Sequence, residues 1–219
     1  MILASIDTST KFASIGITNL EQSYFYNWES QYNHGVELTK NLRNLLSKIH
    51  AKASDLTHVA VALGPGGFSS VRVGISTALG LSTPNNLPLI GIPTHDIQME
   101  PFRKKLEKNI NIISVISAGR NEVSWEKYNS NQKTSGISTF EKLIETSGEN
   151  DMFCGEYIHD TNKYIPKKSI LLEKIVRDPK TFNNLAKNMF IDGRYKEYNK
   201  IKPIYSRKPT ISSPKQKKG

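Results

Sequence analysis

The sequence lacks most of the features that would announce a chemistry. Its 219 residues hold one cysteine, Cys154, so no internal disulfide can form, and a reducing compartment is expected. No apolar run approaches the ~20 residues needed to cross a bilayer as a helix. The opening Met1-Ile2-Leu3-Ala4-Ser5-Ile6-Asp7 has no basic leader and breaks its apolar run at Asp7. It reads as a strand rather than a secretion signal, so a cytoplasmic protein with no membrane association is expected. Histidines stand at positions 34, 50, 58, 95 and 159. None is paired as His-x-x-x-His, so no metal site is expected. Acidic residues do not keep pace with basic ones: 20 Asp and Glu face 30 Lys and Arg, a formal charge of +10. The imbalance lies in one half. Residues 1–98 carry six of each sign, and residues 99–219 carry 24 basic and 14 acidic residues. A basic half-chain suits phosphate backbones or acidic partners, and equally a well-solvated surface.

What is present is concentrated in Gly64-Pro65-Gly66-Gly67-Phe68-Ser69-Ser70-Val71-Arg72-Val73-Gly74. A buried-type strand, residues 58–63, runs into it and a helix of small and apolar residues, about 69–82, runs out of it. Glycines allow a tight turn with exposed amides. Ser69 or Ser70 is placed to cap a helix whose N-terminus carries partial positive charge. This is the physics of an anion site, although no Gly-Lys-Ser/Thr follows to make a P-loop. A strand–helix turn without a ligand fits the same residues.

Around it the elements are regular. Strands are expected at 2–6, 12–18 and 23–28, joined by short turns that suggest antiparallel neighbours. A helix over about 34–50 repeats Leu38, Leu42, Leu45, Leu46 and Ile49 on one stripe. A strand at 88–92 follows the second helix, which Pro84 ends. The order β-β-β-α-β-α-β predicts a mixed sheet with helices on its faces. The second half repeats it more weakly: strands at 110–116, 122–128, 152–155 and 169–172, helices at 140–147 and 181–191, and a basic linker at 99–109. Residues 1–98 are expected to form the first lobe and 99–205 a smaller second one. Residues 206–219 read as a basic, disordered tail.

Asp7 ends the first strand and is followed by Thr8-Ser9-Thr10, whose hydroxyls and amides could hold a phosphate. A turn-forming Asp-Thr-Ser explains them as well. Cys154, inside an apolar run, reads as a core thiol. His95-Asp96 could be an acid–base pair but reads better as a cap or terminator of the strand, after Pro93, and Glu141 and Glu145 read as a solvated helix face. In the 69–82 helix Ser70, Gly74 and Ala78 recur every four residues. Small residues admit a close partner helix, and with the leucine stripe they could form half of a four-helix bundle. Both stripes could instead face their own sheet.

Ile6-Asp7-Thr8-Ser9-Thr10, His34-Gly35, the Gly64–Gly74 block, Ile116–Trp125 and Pro203-Ile204-Tyr205-Ser206-Arg207 together resemble the TsaB (YeaZ) family, accessory proteins of threonylcarbamoyladenosine synthesis on tRNA. The resemblance implies a two-lobed α/β fold of the actin-like, ribonuclease H-like (ASKHA) type, with mixed sheets flanked by helices. It implies a bacterial scaffold with no catalytic residues, metal or cofactor of its own. Such a scaffold binds and activates the catalytic paralogue TsaD as a heterodimer, works with the ATPase TsaE, and forms a homodimer when alone. Threonylcarbamoyl is then transferred to the adenosine 3′ of the anticodon, and ATP is used by the partner proteins. The partner face is placed on His34, Leu38, Leu42, Leu45, Phe68, Ser70, Arg72, Gly74 and Ala78. Asp7, Thr8 and Gly66 would be vestigial ligand-binding residues, and the basic C-terminal half could touch tRNA. The competing reading is an ATP-dependent small-molecule kinase or phosphotransferase of the same fold, with Asp7 positioning Mg²⁺. It needs a second acid on the opposing lobe, where Ser117 stands, and a late glycine pair, for which only Gly155 and Gly193 are available.

Overall fold

Leu3 to Asp7 alternate between two buried faces, and this pleat sets the layering of the first lobe. In the computed structural model, which describes residues 1–31, 33–106, 110–130, 132–155, 177–195 and 200–207, the strands are β1 (Leu3–Asp7), β2 (Phe12–Thr18), β3 (Ser23–Glu29), β4 (His58–Ala62) and β5 (Leu89–Ile92). They lie in the order β3-β2-β1-β4-β5. The β1–β2 and β2–β3 pairs are antiparallel, and β1–β4 and β4–β5 are parallel. Ala4, Ile6, Val59 and Val61 point to one face, where they meet Leu38, Leu42, Leu45 and Leu46 of α1 (His34–Lys48) and Val71, Ile75 and Ala78 of α2 (Phe68–Ser82). Leu3, Ala60, Ala62, Ile90 and Ile92 point to the other and meet Ile97 of α3 (Thr94–Met99). Helices on both faces of the sheet bury β1, β2, β4 and β5, which is why these read as largely apolar runs, while the edge strand β3 stays mostly exposed.

The second sheet repeats the pattern. Strands β6 (Asn111–Gly119), β7 (Glu122–Tyr128), β8 (Lys133–Thr139) and β9 (Asp151–Cys154) lie in the order β8-β7-β6-β9, with β6–β9 parallel and the other pairs antiparallel. Helix α4 (Phe140–Glu145) begins at Thr139, whose hydroxyl accepts from the Lys142 amide at 3.3 Å. It puts Phe140 and Leu143 against Ile113, Val115, Val123 and Phe153. The fold is thus a two-lobed, actin-like α/β fold in which each lobe carries a mixed sheet.

The structure alters the sequence reading in several places. Strand β8 and helix α3 were not expected. Lys133-Thr134-Ser135-Gly136-Ile137-Ser138-Thr139 has little apolar content because it is an exposed edge strand paired with β7. His95 and Asp96 do not end a strand; they lie in α3, which continues as a 3₁₀ turn over Glu100–Lys105, the stretch read as linker. Neither Ser69 nor Ser70 caps α2. Its N-cap is Gly67, with no side-chain cap, and the Ser70 hydroxyl turns back to the Gly67 carbonyl at 2.9 Å.

Helix α5 (Pro179–Ile191), capped by Asp178 through the Lys180 and Thr181 amides, was counted with the second lobe. It packs instead on the first sheet, where Phe182, Ala186 and Phe190 join Leu3, Ala60 and Ile90. Asn183, fully buried, fixes its register: its Nδ2 donates to Ser5 Oγ at 3.1 Å, and Thr18 Oγ1 donates to its Oδ1 at 2.7 Å. The strand expected at 169–172 and residues 208–219 of the tail lie outside the described residues. Among the described residues no helix is long and apolar enough to cross a membrane.

Candidate functional site

The ends of β1 and β4 bring the two candidate turns together. Residues 7–10 leave β1, and Gly64–Gly67 leave β4 beside them, because these strands are parallel neighbours. The turns meet each other directly. The Gly67 amide donates to the Ser9 carbonyl at 2.8 Å. A side chain at Gly66 would overlap that same carbonyl, so the glycine serves a close approach between two backbone segments of this chain. Gly64 has φ +93°, and a Cβ there would run into the Ile204 carbonyl. Ile204 in turn donates its amide to the Leu63 carbonyl at 2.7 Å. Thr8 Oγ1 donates to the Ser70 carbonyl at 2.6 Å, and Gly74 makes room for that hydroxyl. Gly64, Gly66 and Gly74 therefore lock α2 onto the sheet and onto the C-terminal segment.

Asp7 is wholly inside this arrangement. Its Oδ2 accepts from Arg177 Nε at 2.5 Å, and the two side chains are 1% and 2% exposed. Its Oδ1 accepts from the Ser9 amide at 2.8 Å and the Ser9 hydroxyl at 2.6 Å. Arg177 Nη2 donates to Thr10 Oγ1 at 2.8 Å and to the Phe12 carbonyl at 3.1 Å. A buried charge of this kind is tolerated when it is paired and its remaining lone pairs are satisfied. Arg177 was not singled out from the sequence, and nothing local could have done so, because it pairs with a residue 170 positions away. The acid that a kinase would turn toward Mg²⁺ is thus committed to a guanidinium. Ser117, in the place of a second acid, is exposed on β6. These residues do not fit a metal–nucleotide site.

A polar seam joins the lobes nearby. His95 on α3 reaches Ser114 Oγ on β6 with Nδ1 (2.8 Å) and Ser124 Oγ on β7 with Nε2 (3.1 Å). Burial first, then the charges of Lys133 and Arg177, push its pKa down to about 3. Gln98 Nε2 lies within reach of Ser114 Oγ and the Val115 and Cys154 carbonyls. Tyr128, Asp96, Glu126 and Lys133 extend the seam to the surface. Cys154 is the core thiol expected: burial pushes its pKa up to about 12 and leaves it without thiolate character.

Residues 28–164 match the family model described as TsaD: tRNA N6-adenosine threonylcarbamoyltransferase. The tRNA threonylcarbamoyladenosine biosynthesis protein TsaB of Buchnera aphidicola subsp. Acyrthosiphon pisum is 27% identical over 177 residues, spanning 78% of this chain and 79% of that one. TsaB of Escherichia coli K12 is 28% identical over 130 residues, 58% of this chain and 55% of its own. The solved structure of YeaZ from Pseudomonas aeruginosa superposes with a TM-score of 0.75 at 20% identity, covering 93% of this chain and 99% of that one. The chain belongs to this family, in its TsaB (YeaZ) branch.

The partner face that the sequence reading placed on α1 and α2 needs correcting residue by residue. Leu38, Leu42 and Leu45 are buried under α1, and Gly74 and Ala78 under α2. They face their own sheet, so a partner cannot reach them. A lobe with helices on both faces must spend its most apolar stripes internally. Ser70 is half-buried and tied to the Gly67 and Ser9 carbonyls. Of the residues placed on this face, Phe68 and Arg72 are exposed. The Arg72 guanidinium lies 3.9 Å from the Phe68 ring centroid, and its Nε donates to Tyr205 OH at 2.6 Å.

His34 is half-buried at the start of α1. Burial lowers its pKa against the opposing pull of Glu37 and Asp7. What α1 and α2 do offer outward is Gly35, Val36, Thr39, Lys40 and Arg43, beside Ser69, Arg72, Ser76 and Gly80. Val36 is 74% exposed, and nothing lies within 4 Å of a Cβ built on Gly80. The outward small-residue stripe is therefore Ser69, Ser76 and Gly80, one helix face away from the stripe read in the sequence.

Proposed function

We propose that this chain acts in tRNA threonylcarbamoyladenosine biosynthesis as a non-catalytic scaffold. It binds and activates the catalytic paralogue TsaD through the outer face of α1 and α2, works with TsaE, and pairs with itself through the same face when TsaD is absent. The observation that carries the reading is the commitment of Asp7 to Arg177 and Ser9, in a chain of the TsaB branch. The kinase reading requires that carboxylate for a metal, and no other observation favours it. ATP is then consumed by the partners, and no cofactor is assigned to this chain.

The basic half adds a weaker electrostatic contact with tRNA. Several of its cations are neutralised internally: Lys127 by Asp151, Lys133 by Asp96 and Glu126, and Arg207 by Glu122. The run Lys208, Lys215, Lys217 and Lys218, with no acidic residue among positions 203–219, is the part of that half we assign to the contact; these four lie outside the described residues.

The test is reconstitution. TsaD and TsaE are assayed for threonylcarbamoyl transfer to tRNA with this chain, without it, and with Val36→Glu/Gly80→Arg. Stimulation by the chain and its loss in the variant support the scaffold. ATP turnover by the pure chain that disappears in Asp7→Asn overturns it.

A further inference from the structure

The pairing at Asp7 does more than occupy a carboxylate. Arg177 binds Asp7, Asp7 binds the amide and hydroxyl of Ser9, and the Ser9 carbonyl accepts from the Gly67 amide at 2.8 Å and from Ser70 Oγ at 3.3 Å. The relay runs from Arg177, which precedes the N-cap of α5, through the turn after β1 to the first turn of α2. Phe68 and Arg72 stand on that turn and the next, at the exposed end of the helix. Every group along it is a charged or polar group with a stated partner, and the charged pair is sealed from water. In a low-dielectric interior such a chain is stiff, and removing the cation leaves a buried anion with only the two Ser9 donors and no opposing charge from Arg177. A divalent metal would need Asp7 oxygens at ~2.1 Å in near-octahedral geometry, and those oxygens already accept three protein donors.

We propose that Arg177 is the resident cation of the junction between the turn after β1 and the start of α2. Its guanidinium supplies at Asp7 the positive charge that a divalent metal would otherwise bring, and through Asp7 and Ser9 it positions the first turn of α2 without any ligand. The inference rests on the scaffold reading only in calling that turn part of the partner face. Arg177 is a positioning residue: it orders a surface it does not touch. The first turn of α2 is therefore held by the chain's own residues.

The test is chemical rescue in the full-length chain, read by hydrogen exchange at the Gly67 amide and by thermal unfolding. Arg177→Ala should exchange Gly67 at least about tenfold faster than wild type, since local opening then costs less. Millimolar ethylguanidinium should slow it again, and tetramethylammonium at the same concentration should not. The rescue should vanish in Asp7→Asn/Arg177→Ala. Mg²⁺ with ADP should leave the wild-type exchange unchanged.

Rescue by tetramethylammonium, or rescue that persists without Asp7, shows a packing role and overturns the proposal. So does Mg²⁺·ADP binding to wild type that is lost in Asp7→Asn. Should Arg177→Ala not fold, Arg177→Lys and Arg177→Gln decide. Lysine should retain slow Gly67 exchange and glutamine should not, and equal protection in both refutes a role for the charge. Loss of TsaD binding in the outer-face variant is read separately, so failure of the scaffold reading leaves the guanidinium result standing.

Discussion

His95 makes acid sensitivity a measurable property of the lobe junction. Both ring nitrogens meet serine hydroxyls, at 2.8 Å and 3.1 Å. A neutral imidazole offers one donor and one acceptor, and the rotatable hydroxyls of Ser114 and Ser124 can match either tautomer. Among the described residues no carboxylate is paired with the ring. Burial, then Lys133 and Arg177, hold the folded-state pKa at about 3 against 6.5 for the unfolded chain. The folded state thus refuses a proton that the unfolded state accepts. Stability from this group is complete above pH 6.5 and is lost as pH falls from 6.5 toward 3. At pH 5 the loss is about 2 kcal/mol, from 1.36 kcal/mol per pH unit over the 1.5 units below the unfolded pKa. The assay is urea unfolding of wild type and His95→Gln at pH 7, 6 and 5. The carboxylates contribute equally to both proteins, so the difference between the two pH profiles isolates the imidazole. Wild type should lose about 2 kcal/mol more than His95→Gln between pH 7 and pH 5. Profiles parallel to within about 0.5 kcal/mol would refute the reasoning, because they would mean that the buried ring protonates as freely as the unfolded one.

Arg177→Met leaves Asp7 buried without its cation and should cost about 3–5 kcal/mol, lowering Tm by about 6–20 °C for a chain of this size. Asp7→Asn/Arg177→Met should cost less than the sum of the single changes in a double-mutant cycle, and strict additivity would deny the pair. Gly66→Ala forces the Ser9 carbonyl aside and should cost about 1–3 kcal/mol in chemical unfolding. Val36→Glu/Gly80→Arg should change monomer stability by no more than about 0.5 kcal/mol per site while weakening TsaD binding at least about tenfold, or ~1.4 kcal/mol, in calorimetry. Gly74→Arg is not a clean probe of that surface, because Gly74 is packed against Thr8 Oγ1, Val61 and Ile6. Truncation after Arg207 should flatten the salt dependence of tRNA binding by the assembled complex, and an unchanged slope assigns all phosphate contacts to the partners.

The sequence by itself determined the first lobe closely. Strands at 12–18 and 58–62 and the starts of α1 and α2 follow from short-range periodicity and from the Gly-Pro-Gly-Gly turn, and these are properties of neighbouring residues. It also carried the family, through motifs whose spacing is local. Three things were left to the tertiary structure. The orientation of α2 was one: Phe68–Ser82 is small or apolar over most of its circumference, so periodicity cannot say which stripe meets the sheet, and burial on β1 and β4 chose Gly74 and Ala78. The existence of α3 and β8 was another, since six residues after a proline and a polar edge strand are stable only against the sheets they join. The last was the state of Asp7. Whether a carboxylate at a strand end is a ligand or a structural anion depends on what charge lies opposite it. Here the opposing charge is Arg177, brought back by the docking of α5 on the first sheet. Charge pairing across 170 residues leaves no pattern in the chain, because it is imposed by the packing of apolar surfaces elsewhere.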